Sequence, residues 1–241
     1  MYEWIKGGTT MEQFLYDKDV NCPLCRNKFK TKKTRSRNLK LIKRDDDFCV
    51  TYKDINPTYY HIFVCPECGY SATESEFDNM SKVEKEILDK SIRSKWKKRD
   101  FGEVRNFQEA VEVYKLAILT GQLLKKSKGY IGSLCLKLAW IYRENGNDKE
   151  MEFLKYALSL LEAAYQYERF PIAGLDEVNL AYLIGELNRR LGNPKVSITW
   201  FGLALSNPNI KKHRLIQLRA REQWSLAREQ YNMDKENKQN A

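Results

Sequence analysis

Two cysteine pairs, Cys22-Pro23-Leu24-Cys25 and Cys65-Pro66-Glu67-Cys68-Gly69, constrain this chain more than any other feature. Each has the two-residue spacing of a knuckle whose backbone N–H groups turn toward thiolate sulfurs, and together they complete a tetrahedral four-cysteine site for one structural zinc ion. A proline after the first cysteine tightens each turn, and Gly69 suits the left-handed conformation that the second turn needs. In the first knuckle Arg26 stands in the place of Gly69, so Asn27 is expected to be the left-handed residue there. Four thiolates close the metal's coordination shell, which excludes a catalytic zinc with an open position. Redox pairs of this spacing sit at a helix N-terminus in a βαβ setting, and neither pair is so placed. His61, four residues before Cys65, reads as an ordinary strand residue and not as a ligand.

The remaining cysteines, Cys49 and Cys135, lie singly in apolar stretches and read as small core residues. Two knuckles and two isolated thiols indicate metal ligation in a reducing compartment, so a cytoplasmic location is expected. No stretch approaches the roughly 18 apolar residues of a membrane span, so no membrane association is expected. The 241 residues suffice for two folded units, and the net charge of +10 admits nucleic acid or acidic peptides as partners without selecting between them.

Between the knuckles the chain reads as short strands, Leu39–Ile42, Phe48–Tyr52 and Tyr59–Val64, broken at Asp45-Asp46-Asp47 and at Ile55-Asn56-Pro57-Thr58. These predict an antiparallel zinc ribbon with 39 residues between Cys25 and Cys65. Past Asp78 helical punctuation takes over. Ser81-Lys82-Val83-Glu84 and Asn106-Phe107-Gln108-Glu109 have the form of capping boxes, the first opening a polar helix toward Lys98. Five more helices are expected at about 130–145, 148–168, 176–191, 194–205 and 210–232, bounded by Gly129, Gly146, Pro171, Leu191-Gly192-Asn193-Pro194 and Asn207-Pro208.

Three of these helices share a small-large-small spacing: Ala110/Tyr114/Ala117, Ala157/Leu161/Ala164 and Ser197/Phe201/Ala204. That is the pattern of the second helix of a tetratricopeptide repeat, where small residues let paired helices approach and the bulky one fills the gap. The fold class is therefore α+β, a small N-terminal β zinc ribbon followed by an α-helical tetratricopeptide-like array. The expected divisions are a flexible lead-in (1–17), a zinc ribbon (18–78), a linking helix (79–105), the repeat domain (106–232) and a disordered tail (233–241).

Two surfaces are candidates for partners. The first helices of such hairpins line a concave face, which would present Trp140, Arg143, Asn179, Tyr182 and Arg189 as a groove for an acidic or C-terminal peptide, the alternative being that Trp140 and Tyr182 are core residues. From Lys28 to Arg44 nine basic residues follow without an acid, and Lys30, Lys32, Lys33, Arg35 and Arg37 form a candidate nucleic-acid finger with Tyr52, Tyr59, Tyr60 and Phe63 as stacking faces. Against it, residues 1–78 carry 13 basic and 12 acidic side chains, so Asp45, Asp46 and Asp47 are expected to neutralise the finger. No nucleophile triad, phosphate loop or paired-carboxylate motif is present, so the chain reads as a non-enzyme with no small-molecule substrate. A protein partner is the first reading and a nucleic-acid-associated regulator the second.

The segments Leu15-Tyr16-Asp17-Lys18, Cys22–Lys33, Arg44–Cys49, Ile55-Asn56-Pro57, Tyr59-Tyr60 and Val64–Tyr70 resemble a bacterial family defined as a domain of unknown function, and the resemblance continues into the helical half. It implies the same zinc ribbon and tetratricopeptide-like C-terminal part and supplies no activity. Cys49, Asn56 and Pro57 fall inside the resembling stretch.

Overall fold

A computed structural model describes residues 11–78 and 80–239. It divides into two compact units, one containing the chain up to Lys43 together with Val50–Thr120, the other Arg44–Cys49 together with the chain from Gly121 onward.

In the first unit β1 (Leu15–Asn21) pairs antiparallel with β2 (Lys28–Thr34), β3 (Leu41–Arg44) with β4 (Val50–Tyr52), and β5 (Ile62–Val64) antiparallel with β6 (Ser71–Thr73). The first pair was not anticipated, because β1 and β2 are built from charges more than from an apolar alternation. Opposite charges face each other across the ladder instead: Asp17 is paired with Lys32 and Asp19 with Lys30. The expected lead-in is corrected accordingly, since Phe14 and Leu15 are buried and pack with Ile55 and Tyr60. Residues 1–10 lie outside the described residues.

The stretch expected as a strand from Tyr59 begins as a 3₁₀ turn, Pro57–Tyr60. Asn56 Oδ1 accepts from the Thr58 N–H at 2.9 Å and the buried Pro57 needs no donor at the turn's start, which gives both residues a structural task. Behind β5 and β6 the short helix α1 (Glu74–Phe77) inserts Phe77 among Tyr70, Phe63 and Phe29, with ring centroids 4.7, 5.7 and 6.1 Å away.

The Ser81 capping box forms as expected and opens α2 (Lys82–Ser91), but the helix stops well short of Lys98; after a 3₁₀ turn at Arg93–Lys95 the rest of the expected linking segment is non-helical. Asn106 and Glu109 form the second box, each side chain accepting the other's backbone N–H at 2.9 Å, and open α3 (Phe107–Leu123).

Helices α4 (Lys128–Glu144), α5 (Lys149–Tyr167), α6 (Glu177–Arg190), α7 (Pro194–Ser206) and α8 (Arg214–Gln239) follow, each packed on the next except that α8 also touches α6. The last helix corrects two expectations: Ile210–Lys212 is a separate 3₁₀ turn, and helix persists to Gln239 where a disordered tail was expected from 233. Gly146 and Gly192 take positive φ at the ends of α4 and α6, as their sequence positions suggest. All nine members of the three small-large-small sets are fully buried. In the second unit Ser197 Oγ donates to the Gly185 carbonyl at 2.8 Å, and a Cβ on Gly185 would lie 2.7 Å from the Phe201 ring, so α6 and α7 approach as closely as the spacing implies.

Candidate functional site

Both cysteine knuckles sit in hairpin turns, Cys22 and Cys25 between β1 and β2, Cys65 and Cys68 between β5 and β6. The turns are built alike. Cys22 donates to Asn27 and receives from Arg26, while Cys65 donates to Tyr70 and receives from Gly69, all at 2.8–2.9 Å. The left-handed residue of the first turn is Arg26 (φ 63°), which corrects the expectation for Asn27; in the second it is Gly69 (φ 74°), as expected.

The four sulfurs lie within 4.8 Å of one another, with Cys22–Cys68 and Cys25–Cys65 each at 3.5 Å. A tetrahedron of thiolates about 2.3 Å from zinc has sulfurs about 3.8 Å apart, so the set fits one zinc ion. Packing also sets the thiols against one another. Hydrogen bonding with Cys65 pushes the Cys22 thiol up, hydrogen bonding with Cys22 raises Cys68, and Cys65, receiving from both, is lowered. A divalent cation bound there would hold all four as thiolates.

Trp96 closes the second knuckle. Its Nε1 donates to the Pro66 carbonyl at 2.8 Å, and a Cβ at position 69 would fall 2.4 Å from its ring, so Gly69 is required for this close approach as well as for its φ. His61 is exposed at the end of the 57–60 turn and is not part of the sulfur cluster. Cys135 is buried and Cys49 half-buried; burial pushes both thiols up to about 12, which keeps them protonated and inert.

The basic finger is largely β2. Lys32 pairs with Asp17 at 2.6 Å, Lys33 and Lys18 both pair with Glu74, and Arg35 lies over the Tyr16 ring at 5.3 Å with Nε donating to the Leu15 carbonyl. Lys30 and Arg37 are exposed. The acids that neutralise this strand are thus Asp17 and Glu74, not Asp45 to Asp47. Sequence reading also missed Arg105, whose buried guanidinium donates to the carbonyls of Tyr59, Ile62 and Phe101 at 2.8 Å and ties the 57–64 stretch to the segment before α3.

In the second unit the five candidate groove residues do not form one open face. Arg143 donates to Asp47 at 2.5 and 3.0 Å, to Asp45 at 3.2 Å and to Glu150 at 2.7 Å; Trp140 Nε1 donates to Asp47 at 3.2 Å. Burial works against the Arg143 charge, but Asp47 and Glu150 more than offset it and hold its pKa raised. Arg190, which was not among the candidates, stands 3.8 Å from Asp47. Tyr182 is fully buried with Phe48 and Phe201 at 5.5 and 5.7 Å. Arg189 instead pairs with Glu186 of its own helix at 2.8 Å, and Asn179 bonds Asp176 and His213. The site that Trp140, Arg143 and Tyr182 make already holds an acidic and aromatic segment, Asp45 to Phe48 of the same chain.

Among the described residues no helix is long and apolar enough to cross a membrane. No solved structure matches this chain. A protein of Borreliella burgdorferi described as uncharacterized is 27% identical over 171 residues, a match spanning 62% of this chain and 61% of that protein. The family profile described as "Uncharacterized protein conserved in bacteria" (DUF2225) matches residues 15–227. With nearly all the described chain inside that match, cysteine knuckles and helices alike, the protein belongs to the DUF2225 family.

Proposed function

We propose that this chain is a cytoplasmic, non-enzymatic adaptor: a zinc-stapled N-terminal ribbon joined to a tetratricopeptide-like helical unit that binds an acidic, aromatic segment of a protein partner. The observation that carries the reading is the fully buried Asp47, held by Arg143 and Trp140 while Phe48 packs on Tyr182. A surface of that composition recognises carboxylates bidentately and an adjacent ring by stacking. The small-large-small helices and the close approach at Gly185 support the repeat character, and the closed four-thiolate shell supports a structural metal.

Partner binding is then an exchange in which an incoming segment displaces residues 45–48. A tethered competitor at an effective concentration on the order of millimolar raises the affinity a partner must bring, so only well-matched segments compete. The test is affinity capture on the full-length protein, with and without nuclease, followed by elution with excess peptide Arg-Asp-Asp-Asp-Phe. A captured protein that resists nuclease and is released by the peptide supports the reading. Loss of capture on nuclease treatment favours a nucleic-acid-associated regulator, and failure of the peptide to elute contradicts the groove.

A further inference from the structure

Helix α4 places Ser133, Leu136, Lys137 and Trp140 at i, i+3, i+4 and i+7, one stripe of its surface. Together with Phe48 and Leu183 these residues wall a cavity of about 150 Å³ in the second unit. Lys137 is the one charged group in the lining. Burial alone lowers its pKa, with no charged neighbour contributing, and among the described residues it has neither a carboxylate nor any other hydrogen-bond partner. Asp45 and Asp47, the acids on the segment that carries Phe48, are engaged by Arg143.

Lys137 is half-buried, and an ammonium against an apolar wall without a counter-charge is a costly arrangement. A space of this size otherwise suits a benzene-sized apolar body. The two requirements combine in one class of molecule. We propose that this cavity is a binding site for a small monocarboxylate with an apolar body, its carboxylate on the Lys137 ammonium and its hydrocarbon part against Trp140, Phe48 and Leu183. An aromatic or branched acid of about eight to ten heavy atoms matches the space, by comparison with the benzene-sized cavity. Neutral isosteres lack the charge that the lining leaves uncompensated, and amines repel it.

The experiment is calorimetric titration of the full-length, zinc-loaded protein with benzoate, benzamide and benzylamine at pH 7. Benzoate is expected to bind at least about tenfold more tightly than benzamide, and benzylamine not at all. Lys137→Met should remove the preference of benzoate over benzamide, whereas Lys137→Arg should keep it. Equal affinity for benzoate and benzamide in the wild type, an unchanged preference in Lys137→Met, or no benzoate binding would each overturn the proposal. If Lys137→Met fails to fold, the wild-type discrimination and Lys137→Arg decide the matter. The peptide exchange proposed above shares Phe48 and Trp140 with this cavity, but the benzoate titration is read without any peptide, so failure of the exchange leaves this result intact.

Discussion

Arg143 meets Asp47 through two parallel hydrogen bonds, Nη1 to Oδ1 at 3.0 Å and Nη2 to Oδ2 at 2.5 Å, across 96 residues of sequence. Asp47 has no exposed side-chain surface and Arg143 retains only 18%. A pair of this kind is costly to break from one side, because the surviving charge stays buried. Asp47→Ala is therefore expected to lower the unfolding free energy by about 3 kcal/mol, the lower end of the usual range because Asp45 and Glu150 still face Arg143. Arg189→Ala, whose partner Glu186 keeps Arg190, should cost about 1 kcal/mol or less. Urea unfolding of the three proteins separates these; equal costs would mean that the Asp47 contact carries no stability.

The purified protein is expected to carry one zinc ion per chain, measured by elemental analysis. Structural zinc contributes on the order of 10 kcal/mol to a small ribbon, so chelation should unfold the first unit. Cys22→Ser should abolish binding and Cys49→Ser should leave it intact. Full zinc retention in Cys22→Ser would remove the site assignment.

Single-stranded nucleic acid is expected to bind weakly, because Asp17 and Glu74 already compensate Lys18, Lys32 and Lys33. Fluorescence titration across a salt series measures this directly. A sub-micromolar, steeply salt-dependent affinity that disappears when Lys32, Lys33, Arg35 and Arg37 are all changed to Glu would establish the nucleic-acid reading instead.

Close packing in the helical unit is expected to tolerate no added bulk. Ala157→Arg and Ala204→Arg should each destabilise by roughly 3 kcal/mol or more, through overpacking and a buried charge. Gly185→Ala should cost about 1 to 3 kcal/mol by driving its methyl group against Phe201. Thermal melts that match the wild type in any of the three would contradict the helix register.

Much of this organisation was readable from residue types, and the exceptions share a cause. The knuckles, both capping boxes, the helix stops at Gly146 and Gly192 and the buried small-large-small sets each depend on neighbours in sequence, so local chemistry sufficed; Gly129, read as a boundary, instead lies inside α4, which opens at Lys128. The β1–β2 hairpin escaped because its stability comes from cross-strand charge pairs and packing of Phe14 and Leu15, not from apolar alternation. Arg105 was indistinguishable from a surface arginine, since two of its carbonyl acceptors, on Tyr59 and Ile62, are more than 40 residues away. Asp45 to Asp47 read as a strand break that neutralises the basic finger for the same reason: the partners of Asp45 and Asp47, which are Trp140, Arg143 and Arg190, are over 90 residues distant. Trp140, Arg143 and Tyr182 were singled out in the sequence, and the segment they hold was not.

The most direct test of the adaptor account is fluorescence anisotropy of a labelled Lys-Arg-Asp-Asp-Asp-Phe-Cys-Val peptide with the full-length protein and with a variant whose own segment is weakened by Asp47→Ser and Phe48→Ala. The account predicts that the variant binds the peptide at least about tenfold more tightly than the wild type, and that an Asn-for-Asp peptide binds neither. Equal affinity for variant and wild type, or equal binding of the Asn peptide, would contradict it.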